Sequence, residues 1–246
     1  MKLKVISSSS KGNCYLLQSA GGDTLIIECG IPIDDIKKAL NFNIKNVVGC
    51  VVTHEHNDHA RSLRNIADMG IRVYAPNEAL IKFRCKALPF THKVLPGGRY
   101  KIGNFTVMSL PAYHDVPCVC YVIKHDEIGR LLFVTDTYKM PWKIKNLNHL
   151  MIECNYCDDV LSWNEEKGNC PANLRERLML SHMELKTTEL AVKANVNDSL
   201  QDITLLHLSN DNSDAEHMRK TISASSGIPV YVAEKGLEID FNNEPY

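Results

Sequence analysis

The sequence predicts an α/β fold with two β-sheets packed face to face and helices outside, from three observations. Apolar stretches of strand length recur in both halves of the chain. Each half also carries segments with helical spacing, such as Leu63, Ile66 and Ala67. No repeat, low-complexity linker or composition break divides the 246 residues, so 1–246 reads as a single domain.

In chain order, residues 3–6 read as a strand, and Ser7 to Asn13 as a loop of small residues able to cradle an anion on backbone amides. Strands at Cys14–Gln18 and Thr24–Cys29 flank the hairpin signal Gly21-Gly22-Asp23. Asp34 is placed to cap a short helix, Asp35–Leu40. Val47–Val52 is a buried strand, followed by a helix that stops at Gly70 and a strand at Ile71–Ala75. Phe105–Leu110 alternates apolar and polar, and Cys118–Lys124 with Arg130–Val134 forms a hairpin. Leu150–Cys154 is a further strand, and residues 158–180 are mixed helical. Thr187 or Thr188 caps a helix running to about Asn195. Ile203–His207 is a strand, Ser213-Asp214-Ala215-Glu216 a capping box, and Pro229–Val232 and Glu238–Phe241 the closing strands.

A hydrophobic content of 44% with 23% charged residues describes a globular chain, and no apolar run reaches the length of a membrane span. The N-terminus runs straight into a strand, so no signal peptide is expected. Nine scattered cysteines, several inside apolar strands, favour a reducing, cytoplasmic setting over a disulfide framework. Cys118, Cys120, Cys154 and Cys157 do not have zinc-ribbon spacing. A net charge of −1 does not advertise a nucleic-acid binder, although residues 81–101 carry six bases and no acid.

The chemistry concentrates at strand ends. Val52 leads into Thr53-His54-Glu55-His56-Asn57-Asp58-His59. Side chains two apart on an extended backbone share a side, so His54 and His56 can grip one cation. Asp58 and His59 follow where the chain turns helical and can face a second. Imidazoles with carboxylates suit zinc, with iron or manganese open as carboxylate and water ligands increase. His114, Asp136 and His207 each stand just past an apolar strand. An acid such as Asp136, directly after Leu131-Leu132-Phe133-Val134, is costly to bury unless paired or metal-bound.

H-x-H-x-D-H at 54–59, followed by His114, Asp136 and His207, resembles the metallo-β-lactamase superfamily. The resemblance implies a metallo-β-lactamase-type αββα sandwich. It also implies two divalent metal ions, Zn2+ first and Mn2+ second, with His54, His56 and His114 on one, Asp58, His59 and His207 on the other, and Asp136 bridging. Ser8-Ser9-Ser10-Lys11-Gly12-Asn13, Thr135-Asp136-Thr137, Glu153-Cys154-Asn155 and His207-Leu208-Ser209-Asn210-Asp211-Asn212 are similar to the YycJ (WalJ)-type subgroup, regarded as DNA exonucleases.

The expected activity is therefore hydrolysis of a phosphodiester by a hydroxide held between two cations. Asp58 would accept a hydrogen bond from the nucleophile, and His182 would protonate the leaving oxygen. Ser10, Asn13, Asn155 and Arg175 would contact substrate. The expected partner is DNA or a nucleotide, with a homodimer open and no membrane. A cyclic-nucleotide phosphodiesterase is the alternative, suited to the near-zero charge. A thioester or lactone hydrolase and a non-enzymatic, metal-stabilised module are further alternatives.

Overall fold

The computed structural model describes residues 1–171 and 173–243; Ala172 and the last three residues of the expected 1–246 domain lie outside that range. Two seven-stranded mixed sheets face each other. The first contains β1 (Lys2–Ser9), β2 (Gly12–Gln18), β3 (Thr24–Ile27), β4 (Val47–Val51), β5 (Val73–Ala75) and β6 (Thr91–Lys93). Its last strand is β14 (Glu238–Asp240), which pairs with β1. The second contains β7 (Arg99–Ile102), β8 (Phe105–Ala112), β9 (Cys118–His125), β10 (Gly129–Val134), β11 (His149–Glu153), β12 (Asp202–Leu206) and β13 (Val230–Val232), in the order β13-β12-β11-β10-β9-β8-β7. In each sheet an antiparallel half meets a parallel half, at β3 in the first and β10 in the second.

The period of two in the strands builds the layers. On β2, Tyr15 and Leu17 enter the core between the sheets, while Cys14 and Leu16 face the opposite way. On β9, Val119, Tyr121 and Ile123 join the inter-sheet core, and Cys120 and Val122 the outer one. The outer face of the first sheet is covered by α1 (Ile33–Ala39), α3 (Leu63–Asp68) and α4 (Asn77–Lys82), through Ile36, Leu63, Ile66 and Leu80. The outer face of the second is covered by α7 (Leu185–Asn195) and α8 (Ala215–Ser226), through Leu185, Val192, Met218 and Ile222. This is the expected αββα sandwich. Of three further helices, α2 (Asn57–Ala60), α5 (Asp158–Glu166) and α6 (Leu174–Ser181), the first and third line the site.

Several local expectations are corrected. The serine run is no loop: β1 extends to Ser9 and pairs Ser7, Ser8 and Ser9 with Cys14, Asn13 and Gly12. Asp34 does not cap α1. Pro32 is the N-cap, so the helix begins earlier, and Asp34 and Asp35 pair instead with Lys37 and Lys38. Neither Thr187 nor Thr188 caps α7; Glu184 accepts from the Lys186 amide, and Thr188 donates to the Glu153 carbonyl from inside the helix. Asp214 caps α8 alone, because Glu216 turns to Arg219 and Lys220. Gly49, inside β4, has a reason to be small: a Cβ there would lie 2.7 Å from Ile102. All nine cysteines are free, and all but Cys170 are buried. No helix among the described residues is long and apolar enough to cross a membrane.

Candidate metal centre

The site forms where strands end. His54, His56, Asp58 and His59 follow β4, His114 follows β8, Asp136 follows β10 and His207 follows β12. Parallel strands aim their carboxyl ends at one edge of each sheet, the usual place for an α/β site. Asp136 and His207 both take a positive φ, 46° and 54°, which turns them sharply off their strands. A non-glycine residue reaches that region at a cost, and such strain gathers at functional sites.

Asp136 stands in the middle. Its Oδ2 lies 3.7 Å from His54 Nε2 and 3.6 Å from His114 Nε2. Its Oδ1 lies 3.2 Å from His59 Nε2 and 2.7 Å from His207 Nδ1. Around Oδ2, His54, His56, His114 and Asp136 bring one donor atom each within 4.8 Å of the others. Asp58, His59 and His207 do the same on the other side, with Asp58 Oδ2 at 3.4 Å from His59 Nε2 and 3.6 Å from His207 Nε2.

These residues fit a cation. Ligand bonds of about 2.0–2.2 Å in a tetrahedron put donor atoms roughly 3.4 Å apart, close to the separations observed. His54 Nε2 and His207 Nε2 are buried without a hydrogen-bond partner among the described residues, an expense that a cation would remove. His114 Nδ1 lies 2.9 Å from the Ser181 carbonyl, which only accepts, so Nδ1 carries the proton and Nε2 offers its lone pair. Thr53 Oγ1 lies 2.9 Å from His54 Nδ1 and orients that ring, although a hydroxyl, able to donate or accept, does not select its tautomer.

Electrostatics point in the same direction. Burial lowers the His54 pKa well below its usual range. Burial also opposes charge on His59 and His207, but Asp136, joined by Asp58 and Glu28 at His59 and by Glu153 at His207, outweighs it, raising His59 well above the ordinary value and His207 to about 10. Burial pushes Asp136 upward, yet His207 and His59 hold it well below the usual carboxylate range. Without a cation, the shifts favour protons between Asp136 and His59 and His207, while His54 stays neutral.

His182 ends α6 and touches the same cavity, with Nδ1 2.6 Å from Glu153 Oε1. Asp136, Glu153, His182 and His207 form a third close group. Glu153 and Glu28 were missed as site residues. Glu28 is buried, accepts from the Thr53 amide and lies 3.7 Å from His59 Nδ1. Both acids end apolar strands, the same signal that singled out Asp136, so it was available in the sequence.

The expected substrate contacts separate. Ser10 is exposed and lines the cavity with His56, Asp58 and His182. Asn155 also lines it, while its Nδ2 donates to the His207 carbonyl. Asn13 is buried: its Nδ2 donates to the Ser9 and Asp58 carbonyls and lies 3.1 Å from His59 Nε2, so it supports the ligand turn. Arg175 is drawn away by Asp158, Glu165 and Ser162. Arg177, one helical half-turn on, is exposed and lines the cavity instead. That cavity has a volume of about 380 Å³.

Comparison with known proteins agrees with this arrangement. The family model of the metallo-beta-lactamase superfamily matches residues 10–140. The chain is 26% identical to exodeoxyribonuclease YycJ of Bacillus anthracis, over 91% of this chain and 88% of that one. It is 23% identical to exodeoxyribonuclease WalJ of Streptococcus pneumoniae, over 98% and 92%. Among solved structures, the metallo-beta-lactamase fold protein YhfI of Bacillus subtilis superposes with a TM-score of 0.75 at 18% identity, over 97% of this chain and 98% of that one. The chain belongs to the metallo-β-lactamase superfamily and is a metal-dependent hydrolase.

Proposed function

We propose that this protein hydrolyses phosphodiester bonds and acts as an exonuclease-like nuclease on DNA. The observation that carries the reading is the division of Asp136, one oxygen toward His54 and His114 and the other toward His59 and His207. A carboxylate so placed suits two cations, Zn2+ first and Mn2+ second, with His54, His56 and His114 holding one, Asp58, His59 and His207 the other, and Asp136 shared. Bound there, the cations would supply a water of lowered pKa and positive charge for the phosphate oxygens.

The chain's own residues then divide the remaining work. Asp58 accepts a hydrogen bond from the attacking water and orients it. His182 donates through Nδ1 to Glu153, which fixes the ring and leaves Nε2 to deliver a proton to the leaving oxygen. Arg177, Ser10 and Asn155 line the cavity that the phosphodiester would enter. DNA as substrate is supported by the two exodeoxyribonuclease relatives.

A cyclic-nucleotide phosphodiesterase is the second reading. It is favoured by the cavity itself, where Arg177 is the sole Lys or Arg among the described lining residues. A site built for a long polyanion would carry more cations. Cytoplasmic location, supported by the free cysteines, and a homodimer remain proposals of the same reading.

Protein reconstituted with Zn2+ or Mn2+ should turn over bis-p-nitrophenyl phosphate and shorten end-labelled linear DNA. Closed circular DNA should survive. Hydrolysis of cyclic nucleotides without attack on linear DNA would replace the nuclease reading with the second one. Turnover of thioesters alone would overturn both.

A further inference from the structure

Beside the metal centre lies a second cavity of about 630 Å³, which shares His114 and Asp115 with the first. Two tyrosines line it. Tyr113 immediately precedes His114, and Tyr138 comes two residues after Asp136. The Tyr138 amide donates to the Tyr113 carbonyl at 3.0 Å, and the Tyr113 amide donates to Thr137 Oγ1 at 2.9 Å. The two loops that deliver metal-centre residues are therefore tied together at the tyrosines. Their rings stand 6.0 Å apart, inclined by 57°, and both side chains are half-buried.

Lys139 is exposed, with its Nζ 4.2 Å from the Tyr113 ring centre and 5.3 Å from that of Tyr138. Leu95, Pro96, Pro111, Val116 and Pro117 make apolar walls. The lining carries few charges and no excess of bases: Lys93 against Glu78 and Asp115. A groove tracking a phosphate backbone would be dominated by Lys and Arg. A flat, uncharged ring is what aromatic faces and proline walls accommodate, and a base has a π-face whatever its sequence.

We propose that this cavity is a base-stacking subsite for an unpaired nucleotide next to the scissile phosphate, formed by Tyr113 and Tyr138 with Lys139 over their rings. The assignment rests on the phosphodiester reading above and narrows it to an end of nucleic acid that is, or becomes, single-stranded. Lys139, on a flexible stem, exchanges its contact with the rings for the neighbouring phosphate when a base is seated. Continuity through His114 places the subsite one step from the reacting phosphate.

The test compares two ligands of equal charge on the metal-reconstituted protein: a fluorescein-labelled phosphorothioate (dT)10, and the same backbone without bases. Anisotropy titration of the wild type should favour the base-bearing chain by about 5- to 150-fold, the range expected for stacking one base. Tyr113→Ala or Tyr138→Ala should remove that preference, and Tyr113→Phe or Tyr138→Phe, which keep the π-face, should retain it. Equal binding of the two ligands by the wild type would overturn the subsite, and that comparison needs no variant to fold. A preference that survives both alanine substitutions, in proteins melting near the wild type, would also overturn it. Turnover of bis-p-nitrophenyl phosphate by the wild type separates the two levels. An active enzyme without base preference loses the subsite alone, whereas an inactive one loses the phosphodiester reading.

Discussion

His182 Nδ1 lies 2.6 Å from Glu153 Oε1, and this buried glutamate also accepts from the Thr137 and Met183 amides. Burial alone would disfavour charge on both, but each shifts the other: the His182 pKa is raised and that of Glu153 lowered. A raised histidine can remain protonated near neutral pH and give up its proton on demand. His182→Ala should therefore lower kcat by roughly 10²–10⁴ with metal content unchanged. A p-nitrophenyl ester, whose leaving group needs little protonation, should suffer less than a nucleotide ester. Equal losses on both would assign His182 to phosphate binding. Loss of stability with activity would make it a packing residue.

Asp136 and Asp115 make a second contrast. Asp136 is buried between the two clusters, whereas Asp115 is exposed, 3.1 Å from His114 Nε2 and 3.5 Å from His56 Nε2. Asp136→Ala should abolish activity and take metal content well below the two ions per chain expected of the wild type by elemental analysis. Asp115→Ala should weaken metal binding only ~10–100-fold. Small and equal effects would mean that the bridge is assigned to the wrong residue.

How much of this was legible in the sequence follows from where side chains point. Strands buried on both faces, such as 118–124 and 130–134, are legible to within a residue because they leave continuous apolar runs in the sequence. Strands β6 and β7, Thr-His-Lys and Arg-Tyr-Lys-Ile, were missed: short, polar and at sheet edges, they carry no such record. The seven expected ligands converge in the structure because their four blocks each follow the end of an apolar strand, a local signal. The displacement of Arg175 depended on where α5 and α6 meet. Asp158 and Glu165 capture the guanidinium from a neighbouring helix, which no spacing along one helix reveals.

Stability should respond to pH in opposite ways with and without metal. His207 has a folded pKa of about 10, above the ordinary 6.5. Its contribution to the metal-free protein is thus complete below about 6.5 and lost as pH rises toward 10. Asp136 is held below the ordinary 3.8, so its contribution is complete above that value and lost as pH falls further. Both contributions are complete between about pH 4 and 6.5, where they are opposed by His54 and His114, whose lowered pKa values cost stability as pH falls below about 6.5. Metal needs neutral histidines, so metal-loaded protein should instead gain Tm as pH rises from 5 to 8, with protons released on binding. Parallel Tm profiles for the two forms would refute coupling between these protons and the cation.

Gly30 offers a test of how the ligand turn is held. A Cβ at this position would lie 1.7 Å from the Asp58 carbonyl oxygen and 2.5 Å from the His59 amide nitrogen. Both are backbone atoms, so no rotamer change relieves the clash. The same segment is bound to the turn on both sides: Cys29 donates to the His59 carbonyl, and Ser62 donates to the Cys29 carbonyl. Gly30→Ala must therefore push away the residues that carry Asp58 and His59. A cost of about 3 kcal/mol, at the upper end for overpacking, corresponds to a Tm lowered by roughly 6–12 °C. Metal content should fall with it, first at the cluster of Asp58, His59 and His207. Gly97→Ala is the control, since a Cβ there meets nothing within 4 Å and only its φ of 82° is strained. That substitution should cost on the order of 1 kcal/mol and leave metal content intact. If Gly30→Ala binds metal as the wild type does, the close approach of residues 28–30 does not hold the Asp58–His59 turn in place.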